Sequence, residues 1–180
     1  MKTEIRIGLI ALFIWLTTLG CQDVTVGYLS LDYASYSVDS MVVKKELDIT
    51  PPVEVPNPTF DMFVNVFGMD PGEVIGMGIY PTNKIGGGED YTRNLYDIPW
   101  TSTPVEGVDG TAPVEVYIKN VTTDMGDVEL LLAEVTLFST GVFSLPLHNS
   151  VPKGRYKISL TFSNEGYSKD LDDCFTIIVK

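Results

Sequence analysis

The sequence predicts an all-β protein, a β-sandwich that follows a signal peptide and an extended tether. Two observations predict the sandwich. Apolar and polar residues alternate with the period of two that a half-buried strand requires. Turn-forming pairs that contain glycine, such as Asp109-Gly110 and Thr140-Gly141, separate these alternating runs. We therefore divide the chain into a signal peptide at 1–20, a lead segment at 21–58 and a sandwich domain at 59–180.

The clearest strand begins near Tyr156, where four apolar residues alternate with four polar ones through Ser163. Cys174–Lys180 is apolar on both faces, which is typical of a central or doubly covered strand. Pro146 interrupts an apolar alternation and predicts that its strand lies at a sheet edge. The remaining strands predicted from alternating apolar residues are Thr59–Phe67, Val114–Lys119 and Phe143–Leu147.

Residues 128–137 fit two structures. Good helix formers follow Asp127, which is a suitable N-cap, so the segment is compatible with a helix. Its β-branched end and its position between two predicted strands favour a strand instead. We expect the strand and keep the helix as the alternative.

The lead segment at 21–58 lacks a consistent pattern. Ser40–Leu47 is compatible with one strand. Pro51–Pro58 then holds four prolines in eight residues. Proline fixes its own φ and keeps the preceding residue out of the helical region, so this stretch must be extended and stiff. The lead is therefore predicted to be a tether with one early strand, ending in a rigid linker.

Met1–Gly20 has the regions of a secretory signal: a start with Lys2 and Arg6, an apolar run and small or neutral residues before a cleavage point. A transmembrane helix is the alternative, but about 20 apolar residues are needed to cross a bilayer, and this run ends at Leu16. The sequence Thr18-Leu19-Gly20-Cys21 resembles the lipobox of bacterial lipoproteins. That resemblance implies cleavage before Cys21 and acylation of Cys21, which would anchor the chain in a membrane.

Cysteine use and charge exclude several classes of protein. With Cys21 lipidated, Cys174 has no disulfide partner, and its place in an apolar strand predicts a small buried hydrophobe. The whole chain has a net charge of −12, and loss of 1–20 leaves −13. The negative electrostatic field of such a chain repels nucleic acid, so we expect no nucleic-acid partner.

The residues that catalysis would require are scarce, so we expect no enzyme and no cofactor. His148 is the only histidine, and it lies beside Asn149-Ser150 in a predicted turn. One histidine and one free cysteine cannot complete a zinc site. Hydrolysis of a glycosidic bond by two carboxylates has no supporting pattern.

Three carboxylates just before the last strand, Asp170, Asp172 and Asp173, are hard oxygen ligands at a spacing that can hold structural Ca²⁺. The alternative is a solvated acidic turn, which we take as the default.

A ligand-binding surface is predicted from four aromatic residues along a glycine- and asparagine-containing stretch: Tyr80, Tyr91, Tyr96 and Trp100. Aromatic rings on loops can stack on sugars or anchor a protein partner. The alternative is that Trp100 and some of the tyrosines belong to the core, because large aromatics are mostly buried.

These features together resemble surface lipoproteins of gut Bacteroidetes with immunoglobulin-like or cadherin-like domains. The resemblance rests on the lipobox-like segment ending at Cys21, the run Pro99–Ser102 and the sequence VPKGRYKISL at 151–160. Many such proteins belong to Sus-type glycan-uptake systems. The resemblance implies an immunoglobulin-like sandwich in which Tyr156 packs at a corner, and a place in the outer membrane. It also implies a non-catalytic binding or accessory role in glycan capture at the cell surface, with polysaccharide or transporter proteins as partners. A structural subunit of a surface assembly is the alternative.

Overall fold

A computed structural model describes residues 27–180. The predictions of a signal peptide at 1–20 and of lipidation at Cys21 lie outside these residues. Strands account for 39% of the structure and helices for 18%, which confirms a mostly β protein. None of the helices in the described range is both long and apolar enough to span a bilayer.

Thirteen strands and four α-helices form within 27–180. The strands are β1 (Leu29–Ser30), β2 (Ser35–Tyr36), β3 (Ser40–Val43), β4 (Val53–Pro56), β5 (Thr82–Ile85), β6 (Trp100–Thr101), β7 (Val105–Glu106), β8 (Asp109–Gly110), β9 (Glu115–Thr123), β10 (Thr136–Leu137), β11 (Phe143–Leu145), β12 (Gly154–Asn164) and β13 (Tyr167–Val179). The helices are α1 (Pro58–Asp61), continued by a π-helical turn at Met62–Val66, α2 (Pro71–Gly76), α3 (Tyr91–Leu95) and α4 (Val128–Glu134).

The largest sheet has the strand order β3-β13-β12-β9. β12 pairs antiparallel with both β13 and β9, whereas β3 runs parallel to β13 with Val43 opposite Val179. β13 therefore lies inside the sheet, as its apolar sequence predicts. The alternating residues of β12 are also confirmed, because Tyr156, Ile158, Leu160 and Phe162 are all buried.

A second sheet has the order β10-β11-β6 and contributes Trp100, Phe143 and Leu145 to the same core cluster as β12 and β13. Phe143 of this sheet stacks on Phe175 of β13, with 5.1 Å between ring centroids. Pro146 follows the last residue of β11, so it removes no ladder hydrogen bond. The prediction that its strand lies at an edge is wrong, since β11 is the middle strand of three.

The prediction of a tether also fails where residues 27–58 are described. Leu29, Tyr36, Met41 and Val43 are buried members of the core. Tyr36 packs between the two sheets, at 4.6 Å from Phe175 by ring centroids, and donates a hydrogen bond to Gly141 O at 2.6 Å. Because these side chains fill the core, the folded body begins well before Thr59.

Residues 53–98, which we call the insertion, lie between β3 and β6. The insertion holds the β4–β5 hairpin and three short helices. Thr59–Phe67 is helical here, which corrects the strand predicted from its alternating apolar residues. The Asn57 side chain accepts from Thr59 N, and Pro58 occupies the first helical turn, so this pair starts a helix.

The helix that we kept as the alternative forms at Val128–Glu134, and the prediction of a strand there is wrong. Asp127 caps it, because its carboxylate accepts a hydrogen bond from Leu130 N at 3.1 Å. Leu131 is fully buried, while Leu130 and Leu132 are exposed. Only Thr136–Leu137 at its end is a strand. The β-branched residues therefore favour a strand over two residues and not over the whole segment of ten.

Candidate functional site

The insertion exposes large hydrophobic side chains at a higher density than the rest of residues 27–180. Of the twenty-two exposed large hydrophobic side chains in residues 27–180, eleven belong to the insertion. Val74 is its one buried hydrophobic residue, and Val74 is not part of the core cluster. The exposed residues are Val53, Met62, Val66, Phe67, Ile75, Met77, Tyr80, Ile85, Leu95, Tyr96 and Ile98. A high density of exposed apolar side chains is typical of an interaction site.

The helical geometry brings part of this surface together. Met62 and Val66 lie one turn apart, so they share a face of the helical segment. Phe67 follows at the end of that segment, with its ring 5.6 Å from the ring of Phe63. Val66 is 73% exposed and Phe67 is 61% exposed, so two large side chains meet solvent at adjacent positions.

Acidic residues outnumber basic residues in the insertion. The insertion contains seven acidic and two basic residues. Lys84 and Arg93 are the two cations, and Arg93 is committed to Trp100 and to two backbone carbonyls. The insertion therefore presents apolar side chains in a negative field, which is complementary to an apolar partner surface with a basic rim.

The insertion is held to the sandwich through Asp90, which is buried. Its carboxylate accepts hydrogen bonds from Lys44 Nζ at 3.0 Å and from Asp48 N at 3.1 Å. Its own amide donates to Asp48 O at 3.0 Å, and Gly88 N donates to Thr50 O at 2.8 Å. Lys44 Nζ also donates to Glu89. The carboxylates of Glu89 and Asp90 raise the pKa of Lys44, and the hydrogen bond to Glu89 has the larger effect.

Trp100, one of the four aromatic residues predicted to bind a ligand, is in the core. It is 7% exposed, and the guanidinium of Arg93 covers its ring at 4.3 Å from the centroid. Arg93 is held there by its hydrogen bonds to Ile98 O and Pro99 O. The alternative stated for Trp100 is therefore correct, and its ring does not face a ligand.

The three tyrosines differ from Trp100. Tyr96 is 70% exposed and Tyr80 is 59% exposed, while Tyr91 is partly covered at the start of α3. Tyr80 O accepts a hydrogen bond from Asn57 Nδ2 at 2.8 Å, which fixes its backbone beside the start of α1. Tyr80 and Tyr96 thus belong to the exposed apolar surface of the insertion. The sequence alone did not identify the aliphatic residues of that surface. Apolar periodicity marks a buried face, and exposed residues follow no such period.

Two of the three carboxylates considered for Ca²⁺, those of Asp170 and Asp172, contact a lysine instead. Lys119 Nζ lies 2.8 Å from an oxygen of Asp170 and 2.8 Å from an oxygen of Asp172, so an ammonium already bridges them. This contact with Lys119 lowers the pKa of Asp170. Asp173 lies in a β-bulge with a φ of 48°, and its amide donates to Ser159 Oγ. Residues 27–180 contain no group of three or more histidine, cysteine or acidic side chains placed to hold a metal.

Cys174 and His148 lie apart. Cys174 is half-buried in β13, and its thiol donates to Ile158 O at 3.4 Å. Burial raises the pKa of Cys174 to about 11, so the thiol is protonated at neutral pH and is a poor nucleophile. His148 is exposed in the turn after β11. Neither residue is hydrogen-bonded to the other or to a catalytic partner within the described range.

Comparisons of the chain with protein-family models, with curated proteins and with solved structures gave no match.

Proposed function

We propose that this protein is a non-catalytic binding lipoprotein of the cell envelope, anchored through Cys21 in the outer membrane, which docks a protein partner of a surface assembly through its insertion. One observation carries the proposal: the insertion buries one large hydrophobic side chain and exposes eleven. Surfaces with this composition are stabilised by covering them with another protein. Exposed leucine, isoleucine, methionine and phenylalanine side chains suit a protein interface better than a sugar.

We also propose that the sandwich is immunoglobulin-like. The two larger sheets contain seven strands, which we letter A to G in chain order: β3, β6, β9, β10, β11, β12 and β13. The strand orders β10-β11-β6 and β13-β12-β9 then become D-E-B and G-F-C, which are the orders of an immunoglobulin-like fold. Tyr156 gives independent support. Its hydroxyl donates to Pro152 O at 2.8 Å, four residues upstream, as in the tyrosine corner of such domains.

Docking is tested by placing a photo-crosslinking amino acid at Val66 in the full chain, expressed in its own envelope, and mapping the crosslinks by mass spectrometry. We expect one dominant protein partner. A second substitution, Phe67→Ser, should lower its recovery at least about tenfold, because an exposed aromatic anchor carries much of the free energy of binding.

Phe138→Ser is the matched control, since Phe138 is 50% exposed but lies on the sandwich outside the insertion. Recovery of the partner should be unchanged in this variant. Equal loss in both variants, or equal recovery in Phe67→Ser and the parent chain, would contradict docking through the insertion.

Glycan capture at the cell surface is the second candidate, and the exposure of Tyr80 and Tyr96 is the observation that favours it. Affinity electrophoresis in polysaccharide gels tests it. Tyr96→Ala should abolish retardation, whereas Tyr33→Ala, which removes an 87% exposed tyrosine from another part of the chain, should leave it unchanged. Migration that no polysaccharide slows would remove this candidate and leave docking unaffected.

The anchor has its own test. A Cys21→Ala variant should move from the membrane fraction to the soluble fraction, because the acyl chains supply the membrane affinity. A variant that stays with the membrane would contradict the anchor.

A further inference from the structure

A cleft of about 540 Å³ opens beside the end of β3, in the body of the sandwich. Its volume lies within the roughly 300–1,000 Å³ of typical ligand sites. Three chain segments form it, and they meet only in the fold: the residues that follow β3, the end of α4 and the turn after β11. None of its lining residues belongs to the insertion. They are Lys44, Lys45, Leu47, Glu134, Leu147, His148, Asn149 and Ser150.

Lys45 supplies a fixed cation in this cleft. Its Nζ donates to Asn149 O at 2.7 Å and to Asn149 Oδ1 at 2.9 Å, which leaves the third N–H of the ammonium uncommitted. The backbone of Lys45 is fixed as well, because its amide donates to Lys180 O at 2.8 Å. Burial lowers the pKa of Lys45, while the charge of Glu134 acts in the opposite direction.

Glu134 supplies a fixed anion. Its Oε1 accepts from Ser150 N at 2.8 Å and from the Ser150 hydroxyl, while Oε2 has no hydrogen-bond donor in the described part of the chain. The hydrogen bonds from Ser150 lower the pKa of Glu134, which keeps the carboxylate ionised at neutral pH.

The cation and the anion face one cleft without pairing. Lys45 and Glu134 affect each other's pKa, yet no ion pair within 4.0 Å joins them. Each is instead held by its own neutral partner, Asn149 or Ser150. Lys44, the other ammonium at the cleft, is already paired with Asp90 and Glu89. The arrangement thus leaves one positive and one negative group, each with a free hydrogen-bonding position.

We infer that this cleft binds a small zwitterion with an apolar body, such as a free amino acid. The ligand carboxylate contacts Lys45 Nζ, the ligand ammonium contacts Glu134 Oε2, and the side chain lies against Leu47 and Leu147. A simple anion is disfavoured by Glu134, and a simple cation is disfavoured by Lys45. This site is independent of the docking surface on the insertion.

The test is ligand-observed NMR and calorimetry on the full chain in detergent micelles, with each standard amino acid added singly. L-Leucine is the lead probe because the apolar lining is formed by leucines. Its two matched controls are 4-methylpentanoate, which lacks the ammonium, and 3-methylbutylamine, which lacks the carboxylate. We expect L-leucine to bind at least about tenfold more tightly than either control, since each control loses one charge-assisted contact.

Variants assign the binding to the cleft. Glu134→Gln and Lys45→Met should each weaken binding of L-leucine about tenfold or more. Lys45→Arg keeps the positive charge, so it should bind L-leucine more tightly than Lys45→Met does. Glu134→Gln still tests the site if Lys45→Met does not fold. Lys153→Met, at an exposed lysine outside the cleft, should have no effect. Failure of every amino acid to bind, equal binding of L-leucine and its controls, or unchanged affinity in Glu134→Gln and Lys45→Met would overturn the assignment.

Discussion

The carboxylate of Asp90 accepts a hydrogen bond from Lys44 Nζ at 3.0 Å, and this contact fastens the insertion to the end of β3. Two backbone hydrogen bonds support it, Asp90 N to Asp48 O and Gly88 N to Thr50 O. Since the insertion has almost no core of its own, its orientation depends on this attachment and on the Arg93–Trp100 contact. We therefore expect that the insertion can loosen without unfolding the sandwich.

We predict that Asp90→Ala loosens the insertion locally. Loss of the buried carboxylate leaves Asp48 N without its acceptor, at a cost of about 1–3 kcal/mol. Hydrogen exchange measured by mass spectrometry should accelerate at 48–50 and 88–90, while exchange in β12 stays slow. Glu89→Gln is the control, because Glu89 is 74% exposed and its loss should change exchange little. Unchanged protection at 88–90 in Asp90→Ala would contradict this attachment.

A second prediction concerns the buried hydroxyl of Tyr156. It donates to Pro152 O at 2.8 Å and accepts from Asp127 N at 3.2 Å, so it joins the start of β12 to the N-cap of α4. Tyr156→Phe should lower the free energy of unfolding by about 1–3 kcal/mol, because two hydrogen bonds of a buried side chain are lost together. Denaturation in urea measures this change.

Tyr117→Phe is the control for that hydroxyl. Tyr117 is 52% exposed, and its hydroxyl contacts the neighbouring Glu115, so the variant should lie within about 0.5 kcal/mol of the parent chain. Gly126→Ala probes the same region. Gly126 has a φ of +133°, and a Cβ there would collide with the Tyr156 hydroxyl, so this variant should also be destabilised. A Tyr156→Phe variant as stable as Tyr117→Phe would show that the corner bond contributes nothing.

The third prediction concerns where the folded body begins. A chain that starts at Thr59 lacks β3, together with the buried side chains of Tyr36, Met41 and Val43. It should fail to fold, because removing one large core side chain alone costs about 2–5 kcal/mol, and marginal stability is only about 5–15 kcal/mol. A chain that starts at Gly27 should unfold cooperatively. Near-ultraviolet circular dichroism distinguishes the two, and a native spectrum from the shorter chain would contradict the prediction.

The sequence predicts the strands of the core well for a physical reason. A strand with one buried face must place apolar residues at every second position, and β12 does so from Tyr156 to Phe162. The same rule fails at Thr59–Phe67, where none of the apolar residues is buried, so no buried face imposes the period. There the start signal Asn57-Pro58 determines the structure, and it is a helix signal.

Pairing between residues far apart in the chain is the second feature that the sequence does not predict. β3 joins the sheet by parallel pairing with β13. This pairing brings Met41 opposite Ile177, although most of the sequence lies between these two residues. No local pattern in four residues reveals such a partner, so the lead resembles a tether in sequence. Trp100 shows the same limit for the site, because residue type alone does not distinguish a core indole from a ligand platform. The cleft between Lys45 and Glu134 is likewise formed only when three distant segments meet.

The last prediction is a loss of stability at alkaline pH. Burial raises the pKa of Cys174 to about 11 from its ordinary value of 9.0, and burial also raises the pKa of Tyr36 well above 10.0. Both groups are neutral when protonated, so the folded state retains protons that the unfolded state releases. Stability from these groups is therefore fully present below pH 9 and declines as pH rises from 9 through 11 and beyond. Ionisation of Tyr36 would also remove the donor to Gly141 O.

Urea unfolding at pH 8, 9, 10 and 11 should give a falling free energy of unfolding, and Cys174→Ala should flatten the part of the decline that begins at pH 9. A free energy of unfolding that rises over this range, or an identical slope in Cys174→Ala, would contradict burial of the thiol as its cause.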